Sequence, residues 1–438
     1  MSGEWSDRVL HFVGIGGAGM SGLAVIAAEL GASVTGSDRA ETPYTERLRA
    51  AGIEPVLGHA AGNVPAGAEV VYSTAVPADN PERVAAGHEL HRADLLAQIA
   101  ALRRCIAVTG THGKTTTTAM IAHVLRGCGM DPGYVIGGEL IATGSNAGWG
   151  SGEWIVVEAD ESDRSLLKLS PEIAVLTNAE LDHHATYRSL ADLRDTFRRF
   201  MTSAARQVVW DRPELRELCD QVPPALVAFD AVEPRLGEGG SRFTWQGLEV
   251  ALSVPGAHNA VNAAGALAAC ALAGATPADA VAAIASFGGA RRRLERLGVT
   301  PGHGVAVYDD YAHHPTEVGA AIAGARTLTD GRLVAVFQPH LYSRTRALAR
   351  DFGAALARAD IAAVLDVYPA RERAEDFPGV SGLLVAQDAA DARPGHPIAW
   401  LPHFEDVRRF LDRTLRPGDL CLMMGAGDID SLARSLVS

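Results

Sequence analysis

Lysine is nearly absent from this chain: it occurs at Lys114 and Lys168, and every other member of the 39 cations is arginine. Chemistry that needs a lysine must use one of those two positions. Cysteine is also sparse, with Cys105, Cys128, Cys219, Cys270 and Cys421 scattered and no CxxC pair. An odd, unpaired set argues against a secreted disulfide framework and fits a reducing cytoplasm. No long apolar run is present. The most apolar stretch, Ala260 to Ala275, carries Asn262 and several glycines and falls short of the ~20 residues a membrane span needs. The opening MSGEWSDRVLHFVG lacks a basic segment followed by an apolar one, so a secretory leader is not expected. Excess positive charge is missing as well. A formal charge of -13 excludes broad attraction to nucleic acid or anionic lipid, and leaves any anionic ligand to a few placed groups. The expectation is a soluble, cytoplasmic protein that binds neither nucleic acid nor membrane.

What is present is ample core material, 47% hydrophobic residues against 21% charged. At 438 residues the chain exceeds one core, and ~150 residues per domain suggests about three. Short β-branched runs (VLHFVG, SVTGSD, EVVYST) alternate with helical stretches through the first hundred residues, the pattern of a doubly wound parallel sheet. The segment Asp94 to Arg104 reads as an amphipathic helix leading into a second unit. WIVVEAD, EIAVLTN and QVVW extend that unit to about Arg296, and VAVYDDYA, LVAVFQ, IAAVLDV and DLCLMMG make a third. The expected division is 1–104, 105–296 and 297–438. No repeat of 20 to 50 residues is evident.

The strongest chemical signal is Gly110-Thr111-His112-Gly113-Lys114-Thr115-Thr116, set between the run CIAVTG and a helical stretch. There the amides of a glycine turn and a helix N-terminus point at one anion, Lys114 adds a point charge, and Thr115 can ligate Mg²⁺. The loop is shortened, since Val108 stands where a GxxxxGKT pattern has its first glycine. Magnesium wants hard oxygen ligands, and Glu158 ends the strand WIVVEAD, where carboxyl ends of neighbouring parallel strands face one crevice. The acidic run Glu158, Asp160, Glu161, Asp163 reads either as that metal site or as a solvated loop. At the N-terminus, Gly14, Gly16, Gly17 and Gly19 followed by Ser37-Asp38 suggest a pyrophosphate turn with an acidic residue for a ribose. The spacing departs from GxGxxG, so the turn fits any pyrophosphate, or is only a tight structural turn.

These motifs, with TNAELDHHATY at 177–187, PGAHNAVNA at 255–263, GGARRRL at 288–294, DDYAHHPTE at 309–317, FQPHLYSRT at 337–345, DVYPARE at 366–372 and GAGDID at 425–430, together resemble the Mur ligases over nearly the whole chain. GIGGAGMSG with DDYAHHPTE points to the alanine-adding branch. The resemblance implies an α/β fold of three domains: N-terminal Rossmann-like and UDP-binding, central P-loop-type ATPase, and C-terminal Rossmann-like. It implies ATP and Mg²⁺ (or Mn²⁺) as cofactors, UDP-N-acetylmuramate and L-alanine as substrates, and a monomer or weak homodimer. By it, Gly14, Gly16, Gly17, Gly19, Ser37, Asp38, Ser73, Thr74 and His91 bind the UDP substrate. Gly110, Thr111, Gly113, Lys114, Thr115 and Thr116 hold ATP phosphates, and Thr115, Glu158 and His183 ligate magnesium. Asn259 and Asn262 recognise adenine, Arg292 and Arg293 reach the γ-phosphate, and Asp309 or Asp310 holds the ribose. His313, His340 and Arg344 surround the alanine.

Bland alternatives stand beside each role. The asparagines could cap an alanine-rich helix, the arginines form a surface pair, and His183 lie beside His184 in a loop without a metal, because imidazole is an unusual Mg²⁺ ligand. Two departures carry weight. Leu341 stands where some members carry arginine, which puts the alanine carboxylate on Arg344. No lysine follows Lys168, so the carbamylated lysine of later family members is excluded. The implied chemistry is an acyl phosphate formed from a lactyl carboxylate and ATP and then displaced by an amine, with His183, His313 or His340 as base. A murein-peptide recycling ligase of the same fold is the nearest alternative, and a folylpolyglutamate-synthase-like activity leaves the N-terminal domain without a role. A GTPase needs an Asn-Lys pair, which neither lysine supplies, and a dehydrogenase leaves GTHGKTTTT unexplained.

Overall fold

A computed structural model describes residues 5–183, 186–219, 226–230, 232–237 and 239–438. The chain divides into two compact units, one of residues 1–230 and 262–284 and the other of 231–261 and 285–438.

The first unit holds two sheets. Strands β1 (Val9–Val13), β2 (Ser33–Asp38), β3 (Val56–Leu57), β4 (Glu69–Tyr72) and β5 (His88–His91) form a parallel sheet of order β3-β2-β1-β4-β5. β1 is central and almost wholly buried, as a strand covered on both faces must be, and it is apolar apart from the buried His11. Helix α1 (Ala18–Glu29) follows the glycine turn and buries Met20, Leu23 and Ile26. Its Gly22 lies where a Cβ would come within 2.9 Å of Ala147, so the small residue sets how closely the helix meets the next sheet.

Helix α2 (Arg92–Ala100) corrects the expected helix at Asp94 to Arg104. It starts at the His91 cap, whose Nδ1 accepts from the Ala93 amide at 3.3 Å. It stops early because Arg104 already pairs in register with Trp154 as the first residue of β6 (Arg104–Thr109). The apolar β-branched run that follows makes extended pairing the better use of those backbone groups.

Strands β7 (Gly133–Leu140), β8 (Ser145–Gly148), β9 (Trp154–Glu158), β10 (Ile173–Leu176), β11 (Arg206–Trp210) and β12 (Leu226–Phe229) join β6 in a sheet of order β12-β11-β10-β6-β9-β7-β8. All pairs are parallel except the β7–β8 hairpin. The carboxyl ends of the three central strands, at Thr109, Glu158 and Leu176, therefore open on one side of the sheet. Helix α3 (Lys114–Gly127) leaves the first of them.

The second unit contains an antiparallel sheet that the sequence reading did not anticipate: β13 (Val232–Gly237), β14 (Gly240–Trp245) and β15 (Leu248–Leu252). Its larger sheet runs β16-β17-β21-β18-β19-β20, from β16 (Glu295–Val299), β17 (Ala306–Asp310), β18 (Leu333–Phe337), β19 (Ile361–Val364), β20 (Ile398–Trp400) and β21 (Leu420–Met424). β16 is antiparallel to β17 and the remaining pairs are parallel. Along β18, Leu333, Ala335 and Phe337 enter one apolar cluster while Val334 and Val336 enter the other. The period of two sends alternate side chains to opposite faces, so both faces are packed. No helix among the described residues is long and apolar enough to cross a membrane.

Candidate active site

The phosphate loop is tightly packed. Gly110 adopts φ +130°, and a Cβ there would lie 2.1 Å from Thr177 Oγ1, so only glycine fits where β6 meets the end of β10. Thr177 Oγ1 donates to the His112 carbonyl at 2.6 Å, and Asn178 brackets His112 by accepting from its amide at 2.8 Å and donating to its carbonyl at 2.9 Å. Thr111 Oγ1 donates to the Glu180 carbonyl at 2.7 Å. The loop is thus clamped by a segment far along the chain. Gly113, at φ +82°, caps α3, and Asn262 Oδ1 sits 2.6 Å from where its Cβ would be. Asn262 accordingly lies over the loop.

Lys114 folds back onto this turn. Its Nζ donates to the carbonyls of Gly110 at 2.7 Å and Thr111 at 3.1 Å, and to Glu161 Oε1 at 2.9 Å. Burial works against its charge, but Glu161, Asp160 and Glu158 outweigh burial, and the ammonium is held above its ordinary pKa. Lys114 therefore remains a cation. Glu161 is fully buried and also meets His183 Nε2 at 3.2 Å. Thr115 Oγ1 donates to Glu158 Oε1 at 3.0 Å, while the Gly137 amide donates to the other carboxylate oxygen at 2.7 Å. Hydroxyl and carboxylate converge there as hard oxygen donors of the kind Mg²⁺ prefers. His183, at φ +54°, turns its ring toward Glu161, and His184 lies outside the described residues. Thr116 is buried in the first turn of α3.

The N-terminal glycine turn is built differently. Gly14 (φ +76°) and Ile15 donate their amides to the Ser37 carbonyl at 2.8 and 3.0 Å. The Gly16 amide donates to Asp38 Oδ2 at 2.8 Å, and Gly17 precedes α1 as its cap. The acidic residue read as a ribose holder is thus engaged in closing the turn. Ser37 is buried, its hydroxyl donating to Glu82 at 2.5 Å, so its side chain faces the interior. Ser73 and Thr74 follow β4 with Thr74 exposed. His91 caps α2, its ring edge-on to Tyr72 at 5.3 Å, with burial lowering its pKa.

In the second unit, Asn259 Nδ2 donates to the Pro255 carbonyl at 2.7 Å and braces the turn before the helix Ala257–Ala273. Arg292 donates to the carbonyls of Gly425 at 2.6 Å and Gly427 at 3.3 Å and faces Asp309 at 3.4 Å. Both Arg292 and Arg293 lie over the Tyr311 ring. Asp310 accepts from the amides of Leu294 and Ala312, each at 2.8 Å. Burial raises Asp309 to about 7, which Arg292 offsets only in part, and Asp310 to about 6. Asp310 thus braces the backbone from within, while Asp309 faces Arg292. His313 contacts Glu317 at 3.3 Å and lies edge-on to His340. His340 stacks on Tyr368, and buried Arg344 reaches its Nδ1 at 3.3 Å. These three are brought together as expected. Leu341 is buried with φ +69° and its amide on the Tyr368 carbonyl, which keeps its side chain inside.

Sequence reading missed Glu161 as the partner of both Lys114 and His183, and missed the clamp of Thr177 and Asn178. The signal available was the strand-end position of EADESD and TNAELD; the pairing itself exists only in three dimensions.

Profiles of three domains match this chain in order: "Mur ligase family, catalytic domain" over residues 9–104, "Mur ligase middle domain" over 108–270, and "Mur ligase, glutamate ligase domain" over 292–427. A UDP-N-acetylmuramate–L-alanine ligase of Rubrobacter xylanophilus is 42% identical over 98% of this chain and 99% of its own length. One of Streptomyces avermitilis is 44% identical over 96% and 95%. The crystal structure of the UDP-N-acetylmuramate-alanine ligase of Thermotoga maritima covers 98% of both chains, with a TM-score of 0.83 at 29% identity. Three matched domains in order, and identity above 40% along almost the whole length, establish that this chain belongs to the Mur ligase family.

Proposed function

We infer that this chain is an ATP-dependent ligase that joins L-alanine to the lactyl carboxylate of UDP-N-acetylmuramate, in the synthesis of peptidoglycan precursors. The observation that carries the reading is a clamped phosphate loop with its single lysine, beside paired oxygen donors, in a chain over 40% identical along its length to ligases bearing that name.

A lactyl carboxylate oxygen attacks the γ-phosphorus of ATP, the bond to the β-bridging oxygen breaks, and ADP leaves. The amine of alanine then attacks the acyl carbon and gives up a proton to His183, His313 or His340, the acyl–oxygen bond breaks, and phosphate departs with one former carboxylate oxygen. Negative charge builds on phosphoryl oxygens and then on the acyl oxygen, so placed cations supply the stabilisation. Lys114 leaves the carbonyls of Gly110 and Thr111 for the phosphates, and Glu161 keeps it charged and aimed. Thr115 and Glu158, with His183 as the third ligand the motif suggests, would hold magnesium, which would neutralise phosphoryl charge. Arg292 and Arg293, side by side over Tyr311, are assigned to the γ-phosphate. His313, His340 and Arg344 receive the alanine, Arg344 taking its carboxylate. The functional segments are 1–104 for the UDP sugar, 105–296 for ATP and 297–438 for the amino acid. The enzyme acts in the cytoplasm as a monomer or weak homodimer.

The test is phosphate release from ATP and Mg²⁺ with UDP-N-acetylmuramate, with either alanine or a tripeptide as acceptor. Release should require the UDP sugar and alanine together and vanish in Lys114→Ala. Turnover with the tripeptide alone would assign the chain to peptide recycling, and no turnover with either acceptor would remove the ligase reading.

A further inference from the structure

Arg92 belongs to none of the sites above, yet it lines the pocket between them. A cavity of about 120 Å³ in the first unit is bounded by Gly19, Arg92, Gly137, Glu158 and Asp160 over an apolar wall of leucines. One end is the helix that leaves the N-terminal glycine turn, and the other is the carboxylate that Thr115 holds. A substrate with its diphosphate at the first and its reacting carboxylate at the second must cross this cavity. Arg92 begins α2 and is mostly buried, pairing with Asp160 at 3.0 Å and standing 3.8 Å from Asp163. Its guanidinium lies 3.1 Å from the position of a Cβ at Gly19. A side chain at Gly19 would crowd the guanidinium.

The chemistry of the wall needs such a cation. Glu158 and Asp160 both border the space, and a third carboxylate entering between them meets like charges in a partly desolvated pocket. A planar guanidinium can take a carboxylate through two parallel hydrogen bonds. We propose that Arg92 binds the lactyl carboxylate of the UDP sugar and orients it for phosphorylation, with Asp160 as its partner in the absence of that substrate. This rests on the function inferred above. The exchange is one carboxylate for another on the same cation, and the apolar wall accommodates the lactyl methyl.

The experiment measures binding of UDP-N-acetylmuramate and of UDP-N-acetylglucosamine, which lacks the lactyl group, to the full-length wild type, Arg92→Ala, Arg92→Lys and Asp160→Asn. Wild type should prefer the lactyl sugar. Arg92→Ala should lose about thirtyfold for it, the scale of a charged hydrogen-bonded contact, with little change for the other sugar. Arg92→Lys should recover part of the preference, and Asp160→Asn should keep it. Equal losses for both sugars, with the wild-type preference intact, would reduce Arg92 to a clasp with Asp160 and overturn the proposal alone. A wild type that ignores the lactyl group would overturn the inferred function and this proposal together. Should Arg92→Ala unfold, Arg92→Lys carries the same two-sugar comparison.

Discussion

Two glycine turns of the first unit, each between a parallel strand and a helix and each proposed to hold phosphate, are built in opposite ways. The loop at Gly110–Lys114 carries its own cation and is clamped from outside by Thr177 and Asn178. The turn at Gly14–Gly19 carries no cation and is closed by Asp38, a carboxylate on the Gly16 amide. One turn presents charge; the other has a donor already engaged by an acid. Transferred phosphoryl groups need electrostatic stabilisation that a spectator diphosphate does not, and the difference fits the roles proposed for the two turns. It also means that counter-charge near the first turn must come from elsewhere, and Arg92 is the cation whose guanidinium reaches Gly19.

The contrast can be broken most sharply at the glycines. Gly110→Ala puts a Cβ 2.1 Å from Thr177 Oγ1 at φ +130°, and the loop must move. Turnover should fall about a hundredfold or more, the effect of displacing reacting groups by an ångström. Gly14→Ala meets only Val76 at 3.9 Å and bears the strain of φ +76° alone, so its expected effect is about tenfold on KM for the UDP sugar. Steady-state kinetics on the two variants, with melting curves to confirm folding, would contradict the comparison if the order reversed. A smaller effect is expected at Asp38. Asp38→Ala should raise KM for the UDP sugar by about fivefold, the scale of one lost hydrogen bond, and leave KM for ATP unchanged. Asp38→Asn, which keeps an acceptor for the Gly16 amide, should fall between it and wild type.

The two turns were also unequally legible. The phosphate loop could be read because its chemistry is contiguous: strand, glycine, lysine and hydroxyl follow one another within a few residues. The turn-closing bond of Asp38 was not readable, because its spacing from the glycines is also that of a ribose contact, and the bond to the Gly16 amide depends on the register of β1 on β2. Glu161 escaped for a similar reason: four acids in six residues look alike until burial singles out one. The parallel sheets followed from apolar runs alternating with helices. The small antiparallel sheet β13–β15 did not, although its Phe243 and Trp245 alternate inward with outward Arg242 and Thr244. Helix and loop patterns around it obscured so short a signal. In the second unit the cluster of His313, His340 and Arg344 was anticipated from motif resemblance, whereas the inward-facing carboxylates of Asp309 and Asp310 depend on packing that no motif reports.

The most direct measurement is isotopic. UDP-N-acetylmuramate labelled with ¹⁸O in its lactyl carboxylate is turned over with ATP and alanine, and the released phosphate is analysed by mass. If the carboxylate is phosphorylated at the Lys114 site, one labelled oxygen leaves in each phosphate and the other stays in the amide. Phosphate without label, formed alongside amide product, would mean that no acyl phosphate forms and would contradict the account at its centre.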